Sequence, residues 1–185
     1  MSIAFITTNQ HKYQEVRAIL APYGVEIEHI NQEYNENHDA TLDEIAHDAA
    51  LYLATELQRP IVVEDTGLFF KAFPGFPGTL PKFVFNTLGY PGLFKLLAGE
   101  DRTATFITVA AYAKPGEEPR LFKGSMVGQI TTDIYDEDIN VMPYDRIFIP
   151  EGQTQVISRL SLATKNKLSQ RGAAFRAFGE YVRNE

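Results

Sequence analysis

The chain has 185 residues, 44% of them hydrophobic and 22% charged, a composition that excludes disorder as its main state. It has no cysteine, so disulfides and thiolate metal sites are excluded, and its four scattered histidines form no His-x-x-x-His pair for zinc. A net charge of −7 argues against broad, sequence-independent binding of nucleic acid, but leaves room for a small anion held by a few local cations.

The chain opens MSIAFITTNQHK. Its apolar run is too short for a signal peptide and no basic segment precedes it. No stretch approaches the roughly 20 apolar residues that span a bilayer. The expectation is a cytoplasmic protein without membrane contact. Residues 3–8 (IAFITT) are predicted as a buried strand. Residues 10–21 follow as a helix with Tyr13, Val16, Ile19 and Leu20 on one face. Residues 25–30 alternate like a half-buried strand. The most regular helix is expected over 42–57, with Thr41-x-x-Glu44 as a capping box at its start. Residues 61–64 are a second buried strand. Two short helices are predicted near 80–88 and 91–98, with Pro81 and Pro91 near their starts and Gly89 and Gly99 just past their ends. Residues 104–113 and 120–131 make a hairpin around KPGEEP. Residues 132–143 are an acidic loop, and 147–149 a short strand closed by Pro150. The last helix is predicted over 162–183 with Ser161 as its N-cap. Alternating strands and helices followed by an inserted hairpin give an α/β protein, with helices on both faces of a mixed sheet and a cleft between two lobes.

Four places carry chemistry. Thr7-Thr8-Asn9-Gln10-His11-Lys12 lies at a strand-to-helix junction, where exposed N–H groups and the helix dipole attract anions. Lys12 opposes that dipole, a conflict that a bound polyphosphate removes; the alternative is an Asn cap beside a surface lysine. Glu64-Asp65-Thr66-Gly67 follows a buried strand, the position of ligand sites in open α/β sheets. Two adjacent carboxylates there suit Mg²⁺, one as ligand and one orienting water; the alternative is an acidic turn. Glu33-Tyr34-Asn35-Glu36 reads as a solvated acidic loop, and Glu44 as the capping-box partner. On the last helix, a wheel places Lys165 and Arg171 to either side of Leu168 on the stripe Leu168, Phe175, Phe178 and Val182, with Gly172 beneath it for close approach. Two cations beside a buried face suit phosphate or a base; the alternative is snorkelling side chains.

Together these motifs resemble the inosine triphosphate pyrophosphatase family over essentially the whole chain. TTNQHK looks like its Thr-x-Asn-x-x-Lys, and EYNENHDATLDEI is similar to its acidic loop and following helix. VVEDTGLF resembles its Glu-Asp-Ser/Thr-Gly-Leu, and GFPG matches its Gly-x-Pro-Gly. YDRIFIPEG resembles Tyr/Trp-Asp-Pro-x-Phe-x-Pro-x-Gly, and KNKLSQR is similar to Lys-Asn-x-x-Ser-His-Arg. The resemblance implies an elongated mixed β-sheet with flanking helices, a single domain over 1–185 in two lobes around a central cleft, and a homodimer. It implies Mg²⁺-dependent hydrolysis of purine nucleoside triphosphates such as ITP, dITP and XTP to the monophosphate and pyrophosphate. Carried over by position, Thr7, Thr8, Asn9 and Lys12 hold the phosphates and Lys82 faces them. Glu36 and Asp65 bind Mg²⁺, with Asp65 or Glu64 near the attacking water. Tyr144, Asp145, Lys165, Ser169, Gln170 and Arg171 form the base pocket.

The departures fall on the base-reading half. Gln170 stands for the family's histidine, Met142-Pro143 for an aromatic-glycine pair, Arg146 for a proline, and Leu80-Pro81-Lys82 for a Ser-Ala-Arg-like stretch. Gln170 either donates or accepts and carries no charge. Two alternatives therefore stand beside the leading one: the same chemistry with altered or broader base preference, or a nucleotide-binding protein without catalysis.

Overall fold

The structure is a computed structural model that describes residues 2–34, 37 and 39–185. Its centre is a seven-stranded mixed sheet. β1 (Ile3–Ile6) lies parallel to β2 (Ile27–Ile30) on one side and to β3 (Ile61–Phe70) on the other. The two-residue β4 (Pro77–Gly78) pairs antiparallel with the far end of β3. β3, β5 (Thr103–Ala113), β6 (Arg120–Ile130) and β7 (Phe148–Pro150) continue the sheet antiparallel. The helices are α1 (Gln10–Leu20), α2 (Leu42–Leu57), α3 (Pro81–Leu96), α4 (Leu162–Leu168) and α5 (Gln170–Arg183). Among the described residues, no helix is long and apolar enough to cross a membrane.

Side chains alternate across a strand, and this places the cleft. Ile61 and Val63 of β3 pack with Ala46, Ala50 and Leu53 of α2. Val62 turns to the other face and packs with Val16 of α1 and Phe175 and Phe178 of α5. Farther along that second face, Leu68 and Phe70 join Val84 of α3, Phe106 and Phe148 in a third cluster. Between the last two clusters the β3–β5–β6 register aligns Thr66, Thr108 and Gly124. The Thr66 and Thr108 hydroxyls share a hydrogen bond of 2.6 Å. A row of small and polar residues thus divides one apolar face in two. Gly124 lets α5 sit on the sheet: a Cβ there would lie 2.0 Å from the Gln170 carbonyl oxygen and 2.8 Å from Ala173 Cβ. Gly124→Ala is expected to lift the start of α5 and to cost about 1–3 kcal/mol in denaturant unfolding; unchanged stability would contradict this seating.

Several boundaries differ from expectation. β1 stops at Ile6 and β2 starts at Ile27. β3 does not end at Glu64 but runs to Phe70, because antiparallel pairing with β5, from Ile61↔Ala113 to Phe70↔Ala104, carries it straight through Glu64-Asp65-Thr66-Gly67. The carboxylate pair is therefore neither at a strand end nor in a turn. The two short helices form the single element α3, interrupted at Gly89, whose φ of 58° and ψ of −172° are not helical. The predicted helix over 162–183 is broken at Ser169, which has extended backbone (φ −69°, ψ 153°) and caps α5 by accepting from Gly172 N–H at 2.9 Å. Gly172 allows that corner, since a Cβ there would lie 1.8 Å from the Asn166 carbonyl oxygen. The helical wheel that set Lys165 and Arg171 around Leu168 does not hold across this break, and Leu168 is only half-buried. The expected capping box is formed: Thr41 N–H donates to Glu44 Oε2 at 2.8 Å, and Glu44 N–H to Thr41 Oγ1 at 3.3 Å.

Candidate active site

The loop after β1 enters α1 through Asn9, whose side-chain oxygen accepts from the N–H groups of His11 (2.9 Å) and Lys12 (3.3 Å). Asn9 N–H in turn donates to Thr7 Oγ1 at 3.1 Å. His29 on β2 donates from Nε2 to the Thr7 carbonyl at 2.8 Å and stacks on Tyr13, with ring centroids 4.5 Å apart. The junction is thus braced from both sides. Asn9 is a helix cap, as the plainer reading had it, but Lys12 is no free surface lysine. Its Nζ lies 2.6 Å from Glu64 Oε1, and its side chain is 22% exposed. Glu64 offsets the conflict between Lys12 and the helix dipole.

The edge of β3 explains why a cavity opens here. β1 pairs with β3 as far as Val62, and β4 takes over at Leu68. Glu64, Asp65 and Thr66 lie in the gap between. A cavity of about 700 Å³ fills it, inside the range of small-ligand sites. Thr7, Thr8, Asn9 and Lys12 form one wall, Glu64 and Asp65 the strand at its base, and Lys82 stands on α3. Tyr144, Asp145, Lys165, Ser169, Gln170 and Arg171 complete the lining. Every residue expected to hold phosphate, metal or base therefore borders one space, except Glu36, which lies outside the described residues.

The charges in and behind its wall alternate in a chain. Lys12 meets Glu64; Glu64 meets Arg171 (NH2–Oε1, 3.3 Å); Arg171 meets Glu15 (NH1–Oε2, 2.5 Å). Glu15 also meets Lys165 (2.7 Å), and Lys165 meets Asp145 (2.5 Å). Three cations and three carboxylates cancel. Burial works against the Glu64 anion, but Arg171 and Lys12 outweigh it and hold its pKa at about 2. Burial likewise opposes the charge on Arg171, and Glu64 with Glu15 overcomes it, keeping the guanidinium above its ordinary range. Glu15 is lowered, with Arg171 and Lys165 prevailing over its burial. Asp145 goes the other way: burial raises its carboxyl, against the pull of Lys165. Glu64 is a poor proton acceptor, since Lys12, Arg171 and the Thr66 hydroxyl (2.9 Å) already hold its oxygens.

Elsewhere in the lining, the Tyr144 hydroxyl donates to the Pro81 carbonyl at 2.9 Å, tying the 3₁₀ turn Pro143–Arg146 to the start of α3. Tyr90 holds the same turn through the Pro143 carbonyl, also at 2.9 Å. Arg146 points away from the cavity and donates to the carbonyls of Glu137 and Ile139 at 3.1 and 2.6 Å. It pins the acidic loop. Met142 Sδ lies 4.0 Å from Asn9 Nδ2, bringing the turn up to the β1–α1 junction. Gln170 is 6% exposed, and its Oε1 has no hydrogen-bond partner among the described residues.

Among the described residues no group of three or more His, Asp or Glu is placed to hold a metal ion, so a cation here would rest on few protein ligands. Mg²⁺ takes one or two protein carboxylates and fills its shell with water and phosphate oxygens. Asp65 is a carboxylate that lines the same cavity as the Thr7–Lys12 junction.

A comparison with protein families matches the Ham1 family over residues 3–181. The chain belongs to the Ham1 family. It is 42% identical to the dITP/XTP pyrophosphatase of Methanopyrus kandleri, over all of this chain and 97% of that one. Identity to the dITP/XTP pyrophosphatase of Thermococcus kodakarensis is 37%, covering 99% of this chain and 98% of the other. The Ham1 protein of Coxiella burnetii has the same fold, with a TM-score of 0.82 at 22% identity over the full length of both. The expected family, fold class and enzyme class agree with these relatives.

Reasoning from sequence missed Glu15, a buried charge behind this Ham1 site. Glu15 is 4% exposed and does not line the cavity, yet it joins Lys165 to Arg171. Its signal was available: at about 100° per residue, Lys12 and Glu15 fall on the same side of α1 as Val16 and Ile19, two opposite charges inside an apolar stripe.

Proposed function

We propose that this chain hydrolyses purine nucleoside triphosphates of the non-standard kind, ITP, dITP and XTP, to the monophosphate and pyrophosphate with Mg²⁺. One observation carries the reading. A single cavity of about 700 Å³ is lined by the Thr7–Lys12 helix start, by the buried carboxylates Glu64 and Asp65, and by Tyr144, Asp145, Lys165 and Arg171. The relatives are named for two of these substrates, dITP and XTP. By resemblance to its family the enzyme is a single-domain, cytoplasmic homodimer.

In this reading Thr7, Thr8, Asn9 and the first turn of α1 hold the phosphate chain, and Lys12 and Lys82 add positive potential. Asp65, with Glu36 by resemblance, holds the Mg²⁺, which when bound neutralises charge on the pyrophosphate leaving group. Water attacks the α-phosphorus, the bond to the bridging oxygen breaks, and the proton of the water passes toward Asp65. Glu64 is reserved for electrostatics: it fixes Lys12 and Arg171. Tyr144, Asp145, Lys165, Ser169, Gln170 and Arg171 enclose the base.

A second reading keeps the chemistry and widens the base preference. It is favoured by Gln170 Oε1, a buried acceptor without a partner among the described residues. The amide offers a donor and an acceptor together, so it suits more than one base edge. Both readings are tested by incubating the purified chain with ITP, dITP, XTP, dUTP and the standard triphosphates in Mg²⁺. Pyrophosphate release with preference for ITP and XTP supports the first; pyrophosphate release without that preference supports the second. Orthophosphate release, or binding without turnover, overturns both.

A further inference from the structure

Four consecutive residues, Met142 to Asp145, border the cavity. Met142 leads into the 3₁₀ turn Pro143–Arg146, and the other three belong to it. A 3₁₀ turn has poor hydrogen-bond geometry and serves in short pieces, so its placement depends on what grips it. Two side chains outside the cavity lining, Tyr90 and Arg146, supply that grip. Tyr90 follows the break in α3 at Gly89, and its ring packs edge-on to Phe85 with centroids 4.9 Å apart. Its hydroxyl has one hydrogen and donates it to the Pro143 carbonyl at 2.9 Å. The same oxygen accepts from Arg146 NH1 at 3.4 Å. Arg146 NH2 donates to the carbonyls of Glu137 and Ile139, and the Arg146 carbonyl accepts from Tyr135 N–H at 3.2 Å. That loop is fixed in turn at Asp136, which pairs with Arg159 at 3.1 Å and accepts from Ser158 Oγ at 2.7 Å. A continuous run of contacts thus joins the acidic loop, through Arg146 and Tyr90, to the first residue of the turn. Asp145, two residues on, pairs with Lys165, so a shift of the turn moves that carboxylate as well.

We propose that Tyr90 and Arg146 act together as one positioning clamp that sets the Met142–Asp145 wall where the base of the nucleotide meets it. The inference rests on the triphosphate pyrophosphatase reading for the identity of the ligand. The shared hydroxyl makes the pair a unit. Without Arg146 the hydroxyl loses the donor behind it, and without the hydroxyl Arg146 no longer reaches the Pro143 carbonyl. A pair that only tied down the acidic loop would affect every ligand alike.

The test uses Tyr90→Phe, Arg146→Met, the double variant and the conservative Arg146→Lys in the full chain. Calorimetry measures binding of IMP, which carries a base, and of inorganic tripolyphosphate, which has none; kcat and KM are measured for ITP. Tyr90→Phe and Arg146→Met are each expected to weaken IMP binding and raise the ITP KM about twofold to tenfold, the range for one lost hydrogen bond. The double variant is no weaker than the weaker single, because both changes cut the same connection. Tripolyphosphate binding is not weakened, and kcat changes less than KM. Arg146→Lys keeps the charge and a donor and falls between wild type and Met. Additive losses in the double variant, equal weakening of IMP and tripolyphosphate, a loss confined to kcat, or no change overturns the inference. If Arg146→Met fails to fold, Tyr90→Phe, which removes a single oxygen, decides by comparing the two ligands. A wild-type chain that binds IMP without turning over any triphosphate overturns the functional reading, and IMP binding by the variants still decides the clamp. Turnover of ITP with the same KM in every variant overturns the clamp alone. A wild type that binds neither ligand overturns both.

Discussion

Asp65→Asn is expected to lower kcat about 10²- to 10⁴-fold, the range that a positioned proton acceptor contributes. Asn keeps the shape of the side chain and removes its charge, so the fold is retained. Asp65 stands in the middle of β3, where ten register pairs with β5 fix the backbone on that side. Its neighbour Glu64 cannot take over. The Glu64 oxygens are held by Lys12, Arg171 and Thr66, and its pKa of about 2 leaves little affinity for a proton. The measurement is steady-state turnover of ITP with thermal unfolding alongside. Activity near that of wild type, with an unchanged unfolding midpoint, would remove Asp65 from the reaction.

The second large effect falls on stability. Arg171→Ala leaves Glu64 and Glu15 facing a gap in the interior, where Arg171 itself is 2% exposed. Removing one partner of a buried ion pair costs about 3–5 kcal/mol. In a chain of this size that lowers Tm by on the order of 10 °C. The effect depends on pH in a definite direction. The folded pKa of Glu64, about 2, lies below its ordinary 4.5. Its contribution is present in full above 4.5 and is lost as pH falls toward 2. Without Arg171 the Glu64 pKa rises toward its ordinary value, and less is left to lose. The gap in stability between wild type and Arg171→Ala should therefore narrow on acidification from neutral pH toward pH 3. A gap that stays constant or widens would mean that the guanidinium does not stabilise the Glu64 anion.

Much of this site was legible because its residues lie in short runs at element junctions. The Thr7–Lys12 run and the capping box at Thr41 are local signals, and local structure honours them. What escaped was set by distant partners. Glu64, Asp65 and Gly67 are weak strand formers, and nothing in them shows that β5 will hold them extended. The helix over 162–183 hid its break for the opposite reason. Its apolar spacing continues across Ser169, although Ser169 with Gly172 three residues on is itself a cap signal, and the cap prevailed. Glu15 was passed over because a charge near an apolar stripe is usually solvated; here two cations, one on each side of that break, bring it inside.

The alternating chain from Lys12 to Asp145 also bears on how such an enzyme changes over evolutionary time. Each charged member neutralises two neighbours or ends the series, so altering one unbalances the rest. Gln170, Met142 and Pro143, where this sequence leaves its family's pattern within the cavity wall, belong to none of these pairs. Substitution at these uncharged positions leaves the ion-pair chain intact, whereas substitution of a charged member strands its partner in the interior.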